Sequence, residues 1–471
     1  MGQDDTVKLR FAGVDHVSHI RVPHGTTFQA RSGQRGRVFG VSAIALEPVL
    51  GGPPGNTSEF VLLALCDRSR ILAGRVALDS SGARLQNITW TDQWEIVSDG
   101  PGHEALDAEG LVILPQSREV LVSTEPGPVY RLPPMRDWQS GTQLRAVELE
   151  TLPDYIMAGV SANEGLESLT AVPLVAGTSI DNASSLKQLV VTALEGQLVQ
   201  DAASVRRLYE LDAATGSIRF QAFLLVDANE PRLLLSELVA LDAEGLAGGG
   251  QFLALERGWS VDTGSDIRLY LLDAAGADDV AQCQAIVEDT MASLPACPRN
   301  NLTAVSKRLI FRWTKDAQLA GLPVDNYEGM VLVPPSAPGP LNSFSEGGVM
   351  LLLVNDDNDN PAQIGTQFVL LRLACDSSDA GLSQDPSSQR GSLDSAVVPA
   401  VIVVAFLLLL AAVWRCRRLW RASGRQLFKG YRREELEEDD PPQALEQGSG
   451  TDGPSILGHP AVDPLYLSPA I

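Results

Sequence analysis

The chain has 471 residues, a formal net charge of −23 and 44% hydrophobic residues. This length exceeds one small module, and the balanced composition excludes collagen, coiled coil and wholesale disorder. The negative charge repels phosphate backbones, so we expect no nucleic-acid partner. The same charge either suits divalent cations or only keeps the protein soluble.

The chain begins with Met1–Thr6 (MGQDDT), which has neither the basic nor the apolar region of a signal peptide. These residues fit the N-myristoylation pattern, but a cytosolic N-terminus contradicts the membrane orientation predicted below. We therefore expect an incomplete start and treat residues 1–37 as a separate N-terminal segment. Asp15, His16 and His19 lie in this segment, and without further ligands they do not predict a metal site.

Short apolar runs alternate with turns rich in Gly, Pro, Asp and Asn between residues 38 and 375. The runs are rich in Val, Ile, Leu, Phe and Tyr, which is typical of β-strands. Clear examples are Phe60–Leu65, Glu119–Ser123, Gln188–Ala193, Phe252–Leu255, Ile267–Leu272, Val349–Val354 and Gln367–Leu373. Many short strands of this kind indicate a β-sandwich, a barrel or a propeller.

A repeated tripeptide of Glu, Gly and then Leu or Met favours the propeller. Its copies begin at Glu109, Glu164, Glu244 and Glu328. Three copies precede a pair of strands, whereas the Glu244 copy leads directly into a single strand and is the weakest. A tripeptide that enters successive strand pairs is typical of propeller blades. We predict an all-β propeller of six blades, with five or seven as the alternatives.

Charged residues accompany the strand pairs at their ends. Because the innermost strands of a propeller line its channel, such residues should converge on one channel mouth. The expected carboxylates are Asp67, Glu109, Glu125, Glu164, Glu195, Glu256, Glu328, Asp356 and Asp357. For any single one of them, capping a strand end or pairing with a nearby arginine is the simpler interpretation.

Several segments carry a family resemblance when they are taken in order. They are LDAEGLVILPQSREVLVSTEPGPVYRL, NEGLESLTAVP, LVVTALEGQL, FLALERG, NYEGMVLVP and LLLVNDDNDNP. Together they resemble the phytase-like domain, "esterase-like activity of phytase", across residues 38–375. The resemblance implies a secreted or membrane-bound propeller related to alkaline phytases.

The resemblance also implies a chemistry for the expected carboxylates. In a propeller phytase, calcium ions in an acidic channel mouth neutralise phosphate charge and activate water. The nine carboxylates are then the calcium ligands, and Arg68 and Arg257 grip phosphate oxygens. Arg68, Arg257, Glu109 and Glu164 become the candidate catalytic residues.

Two function classes remain open. The first is a calcium-dependent hydrolase of phosphorylated small molecules, and the second is a non-enzymatic receptor or adhesion module that binds a surface ligand. An α/β-hydrolase esterase is not supported, because the chain contains no Gly-x-Ser-x-Gly sequence.

Four of the five cysteines lie in the predicted strand region. Cys66 and Cys375 end the similar runs FVLLALC and FVLLRLAC, which we expect to be neighbours in the blade that closes the ring. We predict disulfides Cys66–Cys375 and Cys283–Cys297, with a buried Cys66 thiol as the alternative.

One apolar segment, residues 396–414, contains nineteen residues without a charge. A helix of that length rises about 28 Å and matches the hydrocarbon core of a membrane. Residues 376–395 form a polar stalk, and residues 415–471 form a basic strip followed by an acidic, disordered tail. The basic flank predicts a cytosolic C-terminus and an N-terminal region that is extracellular or lumenal. All four glycosylation sequons precede the span: Asn56, Asn87, Asn182 and Asn301.

Overall fold

The computed structural model describes most of residues 11–375. The described ranges are 11–49, 58–66, 69–79, 82, 84–98, 106–125, 127–149, 152–161, 164–173, 188–227, 232–260, 262, 264–287, 296–314, 324–334, 348–358, 360, 363 and 365–375. Within them lie 24 β-strands, one short α-helix and two 3-10 turns. The predicted all-β class is confirmed. Five of the seven apolar runs named above lie wholly in a strand, and the other two begin one residue before theirs.

Twenty of the strands form five blades of four strands. From the channel outward, blade 1 contains β4 (Val41–Pro48), β5 (Ser58–Cys66), β6 (Arg70–Leu78) and β7 (Leu85–Ser98). Blade 2 contains β8 (Ala108–Ile113), β9 (Val120–Thr124), β10 (Val129–Leu132) and β11 (Gln143–Glu148). Blade 3 contains β12 (Leu166–Ala171), β13 (Leu189–Leu194), β14 (Val205–Asp212) and β15 (Ile218–Leu225). Blade 4 contains β16 (Leu234–Ala240), β17 (Gln251–Ser260), β18 (Gly264–Asp273) and β21 (Ser306–Thr314). Blade 5 contains β22 (Tyr327–Leu332), β23 (Val349–Asn355), β24 (Thr366–Cys375) and β1 (Phe11–Val22).

The remaining elements are short. They are β2 (Thr27–Gln29), β3 (Arg35–Arg37), β19 (Ala285–Val287), β20 (Ala296–Pro298), the helix α1 (Asp154–Met157) and 3-10 turns at Met135–Asp137 and Arg299–Asn301. They lie in the connections between the blade strands.

The innermost strands contact one another in a closed cycle that runs β4, β8, β12, β16, β22 and back to β4. Five wedge-shaped blades therefore complete the ring, and the favoured count of six is wrong. Some blades use more residues than four short strands need, because the connections between their strands are long. The longest described example is the insertion 274–305 between the third and fourth strands of blade 4.

The ring is closed by β1, which comes from the segment 1–37 that the sequence analysis set apart. It pairs antiparallel with β24, with Phe11 opposite Cys375 and Val22 opposite Thr366. The beginning and the end of the described chain therefore share one sheet, and β24 is not left as an open edge. The predicted closing neighbours, β5 and β24, lie instead in blades 1 and 5.

The hydrophobic core is divided among the five interfaces between neighbouring blades. In β5, Leu62 and Ala64 pack toward blade 5, whereas Leu63 and Leu65 pack toward blade 2. Successive strand residues point to opposite faces, and both faces of this strand are covered. The central strands are therefore continuous apolar runs rather than alternating ones.

Blades 1 and 2 are joined at their outer strands. β7 continues beyond its pairing with β6 and forms a parallel pair with β11, from Glu95 opposite Gln143 to Ser98 opposite Ala146. The indole N–H of Trp94 donates to the carbonyl of Gln139 at 2.9 Å. These two blades therefore share one eight-stranded sheet.

The structure contains the predicted disulfide Cys283–Cys297, whose Cα atoms are 5.5 Å apart. The predicted Cys66–Cys375 disulfide is wrong, because both residues keep their thiols and lie in different blades. Their runs look alike because each is a strand buried in the middle of a blade, not because they are neighbours. Burial of Cys66 agrees with the alternative interpretation of that residue.

The predicted stalk, membrane span and tail lie outside the described residues. Among the residues that the structure does describe, no helix is both long and apolar enough to cross a bilayer. Asn87 and Asn301 are exposed, as a glycan acceptor must be, whereas Asn56 and Asn182 are outside the described part.

Candidate metal centre at the channel mouth

Each innermost strand contains a β-bulge near its first residue. The interrupted pairing lies between Val41 and Ala43, Ala108 and Leu111, Leu166 and Ser168, Leu235 and Glu237, and Tyr327 and Gly329. A bulge leaves one residue unpaired and re-aims its side chain. The side chains released in this way include three carboxylates, those of Glu109, Glu167 and Glu328.

The glycine of the repeated tripeptide has a packing role at two of these bulges. A Cβ at Gly110 would lie 2.6 Å from the carbonyl oxygen of Glu167 in the next blade. A Cβ at Gly329 would lie 3.1 Å from the Cα of Ala43. In these two copies, the glutamate places its carboxylate at the bulge. The glycine that follows is small enough for the neighbouring innermost strand to approach.

Two copies of the tripeptide do not occupy this position. In blade 3 the bulged carboxylate is Glu167, three residues after Glu164. Glu244 lies in the turn that follows β16, at the end of the strand opposite its bulge. The sequence analysis therefore recognised the repeat, but its assignment in blade 3 is three residues too early. The copy at Glu244 in blade 4 does not belong to the repeat.

A second set of side chains lies near the end of the second strand in blades 2 to 5. Thr124 pairs with Ala108, Leu194 with Leu166, Glu256 with Leu235 and Asn355 with Tyr327. These four pairs are equivalent, so the next residues occupy equivalent positions beside the bulges. Those residues are Glu125, Glu195, Arg257 and Asp356.

The carboxylates of blades 2 and 3 form two overlapping groups. One contains Asp107, Glu109 and Glu125, and the other contains Glu125, Glu167 and Glu195. Within each group, one carboxylate oxygen from every member lies within 4.8 Å of the others. Glu125 belongs to both groups. Glu164 lies beside them, because a Cβ at Gly196 would meet its carboxylate.

Arg257 is the cation that faces these carboxylates. Its guanidinium is 2.7 Å from Glu195 and 3.0 Å from Glu328, and it donates to the Oδ1 atom of Asn326 at 2.9 Å. Asn326 also donates to Glu328, at 2.7 Å. Arg257 therefore ties blade 3 to blade 5 and offsets part of the negative charge.

The electrostatics of the mouth favour an added cation. Burial raises the pKa of Glu195 to about 8, against the opposing effect of Arg257, and Glu328 raises it further. Burial raises the pKa of Glu167 well above its usual range, and the nearby Glu195 and Glu109 add to the shift. Burial also raises the pKa of Glu125 and of Glu328, and partial burial raises the pKa of Asp107. A divalent cation bound among these carboxyls would favour their ionised form and lower their pKa values.

Some predicted ligands lie apart from this cluster. Glu256 is buried and accepts a hydrogen bond from Lys307 at 2.6 Å. Asp357 accepts one from the backbone N–H of Gly40 at 2.7 Å and contacts His24 at 3.4 Å. Both residues hold the scaffold together. Asp67 and Arg68 lie outside the described residues.

The remaining predicted ligand, Asp356, is buried beside the cluster. Burial lowers the pKa of Arg257, and nearby carboxylates raise it, with Glu328 and Glu195 having larger effects than Asp356. The Oδ1 atom of Asp356 accepts a hydrogen bond from the backbone N–H of Asn358 at 2.7 Å.

Three acidic residues of this region were not predicted from the sequence. Asp107 and Glu167 belong to the carboxylate groups. Glu237 is buried in the channel wall and accepts hydrogen bonds from the backbone N–H groups of Leu238, at 2.9 Å, and Leu169, at 3.4 Å. Glu167 lies at the bulge of β12, which the sequence does not mark. The apolar run around Glu237 gives no sequence signal of an acidic site either.

The comparison with known families agrees with this architecture. The chain matches the phytase-like family, "Esterase-like activity of phytase", over residues 37–359. It belongs to this family. The phytase-like match includes all the carboxylates of the mouth described above. No curated protein matches the chain in sequence.

Similar solved structures include a WD40 domain, a GH62 hydrolase and a sialidase. The WD40 domain of SCAP from fission yeast is 10% identical, with 70% of this chain and 74% of that chain covered and a TM-score of 0.26. A GH62 hydrolase in complex with xylotriose is 10% identical, with 70% and 91% covered and a TM-score of 0.34. The K499G mutant of NanB sialidase from Streptococcus pneumoniae is 8% identical, with 78% and 57% covered and a TM-score of 0.29.

Proposed function

We propose that the phytase-like domain is a calcium-dependent hydrolase of phosphate esters that acts at the acidic channel mouth. The observation that carries the proposal is the pair of carboxylate groups that share Glu125. Calcium prefers six to eight oxygen ligands from flexible carboxylates, carbonyls and water. Five carboxylates on two neighbouring blades supply this type of donor.

The chemistry of the donor set fits calcium better than a softer metal. All the members of both groups are carboxylates, and none is a histidine or a cysteine. The buried members carry raised pKa values, so a bound cation relieves their mutual repulsion. When bound, calcium would neutralise phosphate charge and activate water.

The residues of the chain have distinct roles in this proposal. Arg257 holds Glu195 and Glu328 at fixed positions through its ion pairs and is a positioning residue as well as a candidate phosphate contact. Glu109 and Glu164 are half-buried, which leaves them accessible for proton transfer with substrate. Arg68 remains proposed as a phosphate contact from the sequence alone.

The experiment is a phosphatase assay of the full-length protein in detergent, with calcium or with a calcium chelator. We expect turnover that needs calcium, and loss of that turnover in Glu125→Gln because this change removes a ligand from both groups. Glu244→Gln is the matched control, because it alters the same tripeptide at the opposite end of an innermost strand. Equal activity of wild type and Glu125→Gln contradicts the proposal, and calcium binding without turnover favours the receptor or adhesion alternative.

We also propose that the mouth faces the extracellular or lumenal side, on a protein anchored in the lipid bilayer by residues 396–414. The Cys283–Cys297 disulfide supports an oxidising compartment. The exposed Asn87 and Asn301 are suited to carry glycans there. Glycosidase-sensitive mobility that is lost in Asn87→Gln and Asn301→Gln tests this orientation, and cytosolic protease access to the propeller in sealed vesicles contradicts it.

A further inference from the structure

Two histidines of β1 lie side by side, away from the acidic mouth. The ring centroids of His16 and His19 are 5.5 Å apart, with 35° between the ring planes. Residues three apart on a regular strand point to opposite faces. A bulge between His16 and Ser18 inserts one residue, so His16 pairs with Leu371 and His19 pairs with Val369. Their partners are two apart, which places both histidines on the same face.

The spacing of the rings suits a shared metal ion. A tetrahedral zinc ion lies about 2.0–2.1 Å from each imidazole nitrogen. Two imidazoles that bind one such ion therefore have ring centres roughly 5 Å apart. The observed 5.5 Å is close to this separation.

The hydrogen bonding of His16 also suits a metal ligand. Its Nε2 atom is shielded from solvent and has no hydrogen-bond partner among the described residues. A bound metal ion would supply the partner that this nitrogen lacks.

We propose that His16 and His19 bind a zinc-class divalent cation, with water completing the coordination. His19 is exposed and gives the ion access from solvent, whereas His16 is half-buried beneath it. Asp15 is engaged by Arg372 at 2.6 Å and is not part of the site. The site differs from the channel mouth in its donors, because imidazole suits zinc and carboxylates suit calcium.

Zinc binding would stabilise the closed ring. The two rings share a face only while the bulge of β1 is formed against β24. A ligand that selects the folded state raises the midpoint of thermal unfolding by mass action. Two protein ligands bind more weakly than the four of a structural zinc site.

The test is calorimetric titration of zinc into the full-length protein in detergent, with calcium in excess to occupy carboxylates. We expect one zinc site, a higher melting temperature, and protection of His19 from diethylpyrocarbonate, mapped by mass spectrometry. His19→Gln should weaken zinc binding by about tenfold or more. His19 is exposed, so this variant is expected to fold.

His24→Gln is the matched control, since His24 lies in the same N-terminal segment but contacts Asp357 and Arg37. It should bind zinc as the wild type does. Wild-type zinc affinity in His19→Gln overturns the proposal, as does a His19 that reacts equally with and without zinc. Because the readouts are zinc binding and modification, they do not depend on phosphatase activity.

Discussion

Glu125 of blade 2 accepts a hydrogen bond at 2.8 Å from the backbone N–H of Gly165, at the entrance to blade 3. A Cβ at Gly165 would lie 3.1 Å from both Cα and Cγ of Glu125, so glycine permits this approach. The carboxylate common to both acidic groups is therefore held between two blades by the backbone itself.

The stability of the protein should depend on pH in the presence of a calcium chelator. The unfolded chain loses the proton of Glu195 near the ordinary value of 4.5, whereas the folded chain keeps it until about pH 8. The folded state therefore binds more protons in this window, and the free energy of unfolding falls as the pH rises through it. Thermal melts between these pH values check the slope.

Calcium should remove much of this loss and should bind more tightly as the pH rises, with release of protons. Titration calorimetry in two buffers of different ionisation enthalpy measures the proton release. Glu195→Gln should show a shallower pH dependence than the wild type. A melting temperature that rises with pH in the chelator would contradict the electrostatic account.

Gly329→Ala should destabilise the fold. The new Cβ would lie 2.7 Å from Val354 Cγ1 and 3.1 Å from the carbonyl oxygen of Ser42, in a packed interface. Overpacking of this kind costs about 1–3 kcal/mol. Gly13→Ala is the control, because a Cβ added at Gly13 on β1 would have no atom within 4 Å. Denaturant unfolding should give a lower midpoint for Gly329→Ala than for Gly13→Ala. Equal midpoints would show that the close approach of the innermost strands at Gly329 does not limit the stability of the fold.

Arg257→Ala should destabilise the protein when calcium is absent. The change leaves Glu195 and Glu328 without their ion-pair partner. Removing one member of a buried ion pair costs about 3–5 kcal/mol, and we expect less here because part of Arg257 is solvent-exposed. Calcium should raise the melting temperature of this variant more than that of the wild type.

Arg312→Ala provides the comparison for that measurement. Arg312 forms an ion pair with Asp266 at 2.6 Å on the outer strands of blade 4. Its loss should leave the calcium-induced shift unchanged. If both variants respond to calcium equally, Arg257 does not act through the acidic mouth.

Cys283→Ser should destabilise the protein by about 2–4 kcal/mol, because it opens the disulfide loop in the unfolded chain. Unreduced peptide mapping should recover Cys283 linked to Cys297. Cys66 and Cys375 should be alkylated after denaturation without a reductant. Recovery of a peptide that links Cys66 to Cys375 would contradict the fold described here.

The sequence predicted the class of fold well because the central strands are buried on both faces. Runs such as Phe60–Leu65 are apolar throughout and are recognisable without an alignment. The outer strands gave weaker signals. β1 is partly exposed and contains two histidines, so its role in closing the ring could not be inferred from local composition.

The site was predicted in part, because strand ends are visible in sequence but bulges are not. Glu125 and Glu195 follow recognisable strands, Arg257 follows the apolar run Phe252–Leu255 closely, and the structure places the three together. Glu167 was missed because the tripeptide Glu164-Gly165-Leu166 matches the repeat, so the ligand of blade 3 was assigned to Glu164, three residues before the bulge. Glu256 and Arg257 are adjacent in sequence, but strand alternation turns only the arginine toward the mouth.

The parallel pair between β7 and β11 links blades 1 and 2 through their outermost strands. Blades 3 and 4 are linked through the insertion of blade 4, where the N–H of Ala202 donates to the carbonyl of Ile286 at 2.7 Å. At the junction of blades 2 and 3, Glu125 accepts the hydrogen bond from Gly165. The carboxylate groups therefore lie between two pairs of linked blades, and a cation bound there would link the two pairs across the channel mouth.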